Sequence, residues 1–182
     1  VYSFSVLMNG FAKSGDVEGA VRLLKEMAMV GVPASRVIYS GVLHACSVAK
    51  DVELSEQVFE QLRSDGLKPS IVIYSCLALT YANAGLWGKV EGLEEEMEQE
   101  SVAMNSYFLL ALLISYRRAK PQQVGRAKAA FRRAISAGVS IVPHHLNVMT
   151  SLVGKQRCQS ILKELQQGNG QLKSACEMQK LH

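Results

Sequence analysis

The sequence predicts an all-α fold, a solenoid of stacked helical hairpins, on three observations. The chain repeats itself in three ungapped blocks of 35 residues, 1–35, 36–70 and 71–105. Apolar residues recur at spacings of three and four almost end to end, with only four prolines to interrupt them. Glycines stand where such helices would stop, because a helix terminus favours a left-handed residue. Two helices this short cannot bury an apolar face alone, whereas stacked neighbours make one continuous core.

In the first unit, Phe4, Leu7, Met8 and Phe11 form the stripe of a first helix. Gly15 ends it, and Asp16 stands where it caps a second helix that buries Ala20, Leu23, Leu24 and Met27 before Gly31-Val32. The second unit repeats the pattern with Tyr39-Ser40, Val42 and Cys46, then Lys50-Asp51, then Ser55, Val58 and Leu62, closing on Gly66-Leu67. The third follows with Tyr74-Ser75, Leu77 and Tyr81, then Gly85, then Val90, Leu93 and Met97. A fourth unit, 106–142, carries Leu109, Leu110, Leu112 and Tyr116, then two extra residues within 119–122, then Ala127, Ala130, Phe131 and Ala134. A fifth, 143–167, opens with Leu146-Asn147 and degenerates after Gly154; 168–182 reads as a tail.

Charge is unevenly placed. Residues 1–100 hold 8 basic and 14 acidic side chains, a balance of −6; residues 101–182 hold 12 and 2, a balance of +10. The basic half points to an anionic partner, most often nucleic acid, or to a solvated basic face. No Asp or Glu occurs in 1–15, 36–50, 71–85, 106–120 or 143–154, the five first-helix segments. A polyanion approaching those helices would meet no carboxylate, although packing between layers also disfavours charge there. The run Glu94-Glu95-Glu96 reads as a solvated helix face.

Catalysis and metal binding find little support. Cys46, Cys76, Cys158 and Cys176 are scattered, without a CxxC or Cys/His cluster. His44 stands alone, and His144-His145 are neighbours that point apart on a helix. Gly10, Gly15 and Gly19 follow no strand, so they are no phosphate loop. Trp87 reads as packing at the start of a second helix. No cofactor, metal or catalytic residue is expected, and no apolar run of about 18 residues predicts a membrane span. The chain opens at Val1 rather than at methionine, and the expectation is a piece of something longer.

The pattern Tyr39-Ser40-x-Val42-Leu43, Ala49-x-Asp51, Phe59-Glu60-x-Leu62 and Gly66-Leu67-Lys68-Pro69 resembles the pentatricopeptide repeat. Leu7-Met8-x-Gly10-Phe11-x-Lys13-x-Gly15 agrees closely. The likeness covers 1–143 well and 144–167 poorly. It implies a right-handed superhelix whose first helices line a groove for single-stranded RNA, one base per repeat. It further implies that the fifth residue and the last residue of each unit select the base: Ser5 with Ser35, Ser40 with Ser70, Ser75 with Asn105. Hydroxyl with Asn resembles an adenine-preferring pair, and the paired serines a purine-preferring one. By the same resemblance Tyr2, Val37, Val72 and Tyr107 sandwich bases, and Lys13 and Arg118 face phosphate. A mitochondrial or plastid address and a role in organellar RNA metabolism are implied as well.

The fourth unit departs from the pattern, with Leu110 and Val142 at its selector positions, which cannot hydrogen-bond a base edge. The fifth supplies Asn147 without a recognisable partner. Either the fourth unit reads no base, or its surface and the C-terminal part contact protein. The alternative to an RNA binder is therefore a scaffold subunit within a larger complex.

Overall fold

The computed structural model describes the backbone of residues 2–168 and the side chains of residues 4–164. Among the described residues there are ten helices and no strand. They run α1 (Tyr2–Ser14), α2 (Val17–Met29), α3 (Arg36–Ala49), α4 (Val52–Ser64), α5 (Ile71–Asn83), α6 (Trp87–Gln99), α7 (Ser106–Arg118), α8 (Val124–Ser136), α9 (Pro143–Val153) and α10 (Lys155–Gly168). The architecture is an all-α solenoid of helix pairs. None of these helices is long and apolar enough to cross a membrane. The tail read from the sequence, 168–182, lies outside the described residues apart from Gly168.

Local chemistry sets the breaks. Asp16 and Asp51 cap α2 and α4 by accepting from the N–H groups of Gly19 (2.9 Å) and Leu54 (3.0 Å). After α2, α4 and α8 the chain turns on Gly31, Gly66 and Gly138 at φ of +70°, +75° and +78°; after α6 Ser101 takes the same conformation at φ 56°. Between the helices of a pair Gly15 and Gly85 are left-handed, and Lys50 does the same at φ 61°. At Gly15 a Cβ would also lie 2.7 Å from Val48 Cγ1, so a larger residue would push α1 off α3.

The first helices α1, α3, α5, α7 and α9 pack on one another in series. Each second helix packs against its own partner and, through α8, against the first helix of the next pair. Helices α5 and α7 are therefore covered on nearly every side, which is why they are apolar all round, burying Ile73, Tyr74, Leu77, Phe108, Leu112 and Leu113. Helices α2 and α8, covered on one face, are amphipathic, burying Ala20, Leu23 and Met27, and Ala127, Ala130 and Phe131.

The fifth pair is completed after Gly154 by a helix whose sequence no longer follows the repeat pattern. Helix α10 forms there and packs on α9 through buried Cys158, Ile161 and Leu162. Three apolar side chains at spacings of three and four suffice because they seat on α9 alone, while Glu164 meets α8 through an ion pair with Arg132.

Candidate nucleic-acid interface

The N-terminal turns of the first helices line up along one edge of the inner layer. At the second position of successive units Val37, Val72 and Tyr107 are left in water, with 64%, 52% and 73% of their surface exposed. The two residues that follow each of them, Ile38-Tyr39, Ile73-Tyr74 and Phe108-Leu109, are buried, so these side chains form a row of unpartnered apolar surface. The side chain of Tyr2, expected in that row, lies outside the described residues.

One turn further on, at i+3, come Ser5, Ser40, Ser75, Leu110 and Asn147. Ser5, Ser40 and Leu110 are half-buried, Ser75 is buried and Asn147 is exposed. The Ser40 hydroxyl donates to the Val37 carbonyl (2.8 Å), and that of Ser75 to Ile71 (2.7 Å). The last residue of each unit proves to be the N-cap of the next first helix: Ser35 for α3, Ser70 for α5, Asn105 for α7 and Val142 for α9.

The structure brings Ser75 and Asn105 together. Asn105 Oδ1 accepts the Phe108 N–H (2.8 Å) and lies 3.2 Å from Ser75 Oγ. Those contacts occupy the amide oxygen, so its NH2 is the group left to donate. Ser35 and Ser70 make no side-chain cap bond. Val142, with 42% of its surface exposed, and Leu110 give the fourth unit an apolar edge.

Lys13 and Arg118 lie at the opposite ends of their first helices from this row, about 16 Å along the axis. Both are exposed, and the Arg118 guanidinium donates to the Asn83 carbonyl at the end of α5 (2.6 Å). Arg118 thus joins two first helices as well as presenting charge.

The carboxylates are held on the other layer. Tyr39 donates to Asp65 (2.5 Å), Tyr74 to Glu96 (2.5 Å) and Tyr116 to Glu91 (2.7 Å), and Tyr81 faces Glu56. Burial first, then these carboxylates, push the four phenols well above the usual tyrosine range. Glu56 is bonded by Lys89, which holds its carboxyl below the ordinary value. This corrects the reading of 94–96 as a solvated face: Glu94 is buried against Arg133 (2.7 Å), Glu96 bonds Tyr74 and Arg63, and Glu95 is the exposed one. The basic excess of 101–182 is in part internal for the same reason. Arg126 and Arg133 pair with Glu91 (2.9 Å) and Glu94, and Arg132 with Glu164 (2.7 Å).

His145 is a structural residue that the sequence reading passed over. It is fully buried, accepts the Val142 N–H at Nδ1 (3.0 Å), and its Nε2–H donates to the Ser106 carbonyl (2.7 Å), tying α9 to α7. Burial lowers its pKa, partly offset by the Ser106 bond. His144 and His44 are exposed. Trp87 opens α6 half-buried, with the Arg126 guanidinium 4.7 Å over its ring. Burial raises the Cys46 and Cys76 thiols to about 11, which leaves them inert. Among the described residues no group of three or more His, Cys, Asp or Glu is placed to hold a metal ion. The braces had a sequence signal: Tyr81 and Tyr116, like Glu56 and Glu91, stand 35 residues apart.

Models of two families match the chain, the pentatricopeptide repeat domain over residues 22–84 and the PPR repeat over residues 2–32. A pentatricopeptide repeat-containing protein of Arabidopsis thaliana is 33% identical over 112 residues, 61% of this chain and 11% of that protein. A second from the same plant, whose name carries the word mitochondrial, is 35% identical over 101 residues, 55% of this chain and 13% of that protein. The chain thus spans about a tenth of the length of the curated relatives it matches. Among solved structures, it resembles the pentatricopeptide repeat domain of Arabidopsis thaliana protein-only RNase P 1 in complex with tRNA. That match has a TM-score of 0.72 at 18% identity, over 95% of this chain and 93% of that one. The pentatricopeptide repeat protein PPR10 in complex with an 18-nt psaJ RNA element gives 0.73 at 22%, over 91% of this chain and 25% of that one. At these identities the structural likeness speaks for the fold.

Proposed function

This chain belongs to the pentatricopeptide repeat family, and from that premise we propose that it binds single-stranded RNA along its first helices, one base per repeat, without catalysing a reaction. The observation that carries the reading is the row Val37, Val72 and Tyr107. Three large apolar side chains lie exposed in register, on a layer without carboxylates, one helical turn from Ser40, Ser75 and Leu110. Stacking on such faces contributes about 1–3 kcal/mol per base for an aromatic and less for valine. Ser75 and Asn105 then supply the preference of the third unit, for adenine; Ser5 with Ser35 and Ser40 with Ser70 favour purines. Lys13 and Arg118 add charge toward phosphate and hence salt dependence. With so few units the affinity is weak. The RNA-bound neighbours support the reading, and the relative named mitochondrial supports an organellar role in RNA metabolism, in mitochondrion or plastid.

The test is fluorescence anisotropy with oligoadenylate, oligouridylate and duplex DNA at two salt concentrations. Single-strand binding with an adenine preference, reduced by Ser75→Leu or Asn105→Ala, is the expected result. Equal, feeble binding to every polyanion would overturn it. A second reading, a scaffold that touches protein through the fourth unit, rests on the apolar pair Leu110 and Val142 and predicts that outcome.

A further inference from the structure

On the layer away from the first-helix row, neighbouring second helices are separated by grooves, and three of these grooves are bridged, that between α8 and α10 by Arg132 with Glu164. Between α4 and α6, Lys89 pairs with Glu56, Arg63 with Glu96 and Lys68 with Glu100. Between α6 and α8, Arg126 pairs with Glu91 and Arg133 with Glu94. The groove between α2 and α4 differs. Where the other junctions hold Glu56 with Lys89 or Glu91 with Arg126, this one holds Val21 and Leu54, and among the described residues no ion pair joins the two helices.

The result is an open furrow. Two cavities of about 720 and 460 Å³ share Val21, Lys25 and Leu54 and run along both helices. Leu24 and Val58 continue the apolar lining. Most of the acids at its rim have partners within the chain: Asp16 and Asp51 cap their helices, and Asp65 accepts from Tyr39 and Gln61. Glu18 lies exposed near the Asp16 end. Arg22 and Lys25, on α2 and three residues apart, pair with no carboxylate among the described residues, whereas the five cations bridging the two neighbouring grooves each meet one.

We propose that the α2/α4 groove docks an amphipathic helix of a protein partner, aliphatic on the face it seats and bearing carboxylates on the edge that meets Arg22 and Lys25. Thirteen-residue helices are about 20 Å long, enough for three to four turns of a seated helix reading at i, i+3, i+4 and i+7. Asp16, Glu18 and Asp51 gathered at one end disfavour a polyanion there. The partner and the strand proposed for the first helices therefore occupy different layers and bind together.

The test uses two labelled peptides of about sixteen residues, with leucines at spacings of three and four. One carries glutamates along one edge, the other lysines. The glutamate peptide is expected to bind about tenfold more tightly. Arg22→Glu with Lys25→Glu, on exposed positions and checked for helicity by circular dichroism, is expected to reverse that order. Val21→Glu with Leu54→Lys, which installs the bridge of the other junctions, is expected to abolish binding of both peptides and leave oligoadenylate binding unchanged. Equal binding of the two peptides, an order that survives charge reversal, or displacement of the peptide by oligoadenylate would overturn the proposal.

Discussion

The two layers of the solenoid divide the work of folding from the work of presenting charge. Helices α5 and α7 pack on neighbours before, after and outside them, and the face left to water is a narrow row of Val72, Tyr107 and small polar groups. Helices α4, α6 and α8 have open outer faces, and there the carboxylates accumulate and meet cations from the next helix. Burial alone accounts for the scarcity of charge inside α5 and α7. It does not account for the row itself, which is exposed and still carries no acid. That is the part of the inner layer that packing leaves undetermined and a ligand would use.

The comparison breaks most visibly in the core. Leu112→Ala on α7, where the side chain is fully buried, is expected to cost about 2–5 kcal/mol in urea unfolding. A second intervention tests the exposed row: Val72→Glu is expected to weaken oligoadenylate binding about tenfold with little change in stability, because it places a carboxylate where a phosphate chain would pass. Glu95→Gln on the outer layer is expected to leave binding unchanged. If both variants bind like the parent, the row is not the contact surface.

The inner layer also contains a buried titrating group, His145. Its pKa is lowered in the folded state, so the unfolded chain takes up a proton first as the pH falls. Stability is therefore full above about pH 6.5 and is lost below it, by up to about 1.4 kcal/mol per pH unit until the native imidazole also protonates. Unfolding midpoints measured between pH 7.5 and 5 should show that slope, and His145→Gln should flatten it at the price of the α9–α7 tie. Smaller again, Glu91→Gln is expected to cost about 1 kcal/mol, since Tyr116 and Arg126 both lose a charged acceptor. Glu95→Gln should stay within about 0.5 kcal/mol.

Much of this was legible in the residues. Stripes such as Phe4, Met8 and Phe11, with Asp16 and Asp51 as caps, locate helices because spacing and capping are local properties. Helix α10 is hard to see in the residues because only Cys158, Ile161 and Leu162 mark it in an otherwise polar stretch. The roles of Glu94 and Glu96 were misread for a different reason. Their partners, Arg133, Tyr74 and Arg63, lie on other helices, and no local pattern tells a solvated glutamate from one facing a cation 39 residues away. The resemblance pairs Ser75 with Asn105 by position in the repeat; that Asn105 also caps α7 came from the backbone geometry.

That cap has a consequence for anyone wishing to recode the chain. Asn105 closes one unit and starts the next, so changing the letter it is proposed to read also alters how readily α7 nucleates, by about 1 kcal/mol if alanine replaces it. Ser35 and Ser70, which hold no backbone N–H, carry no such obligation. Under the proposed reading, specificity in this array is thus unevenly editable: two of its positions can drift toward new sequences cheaply, while the third is tethered to the integrity of the helix that follows it.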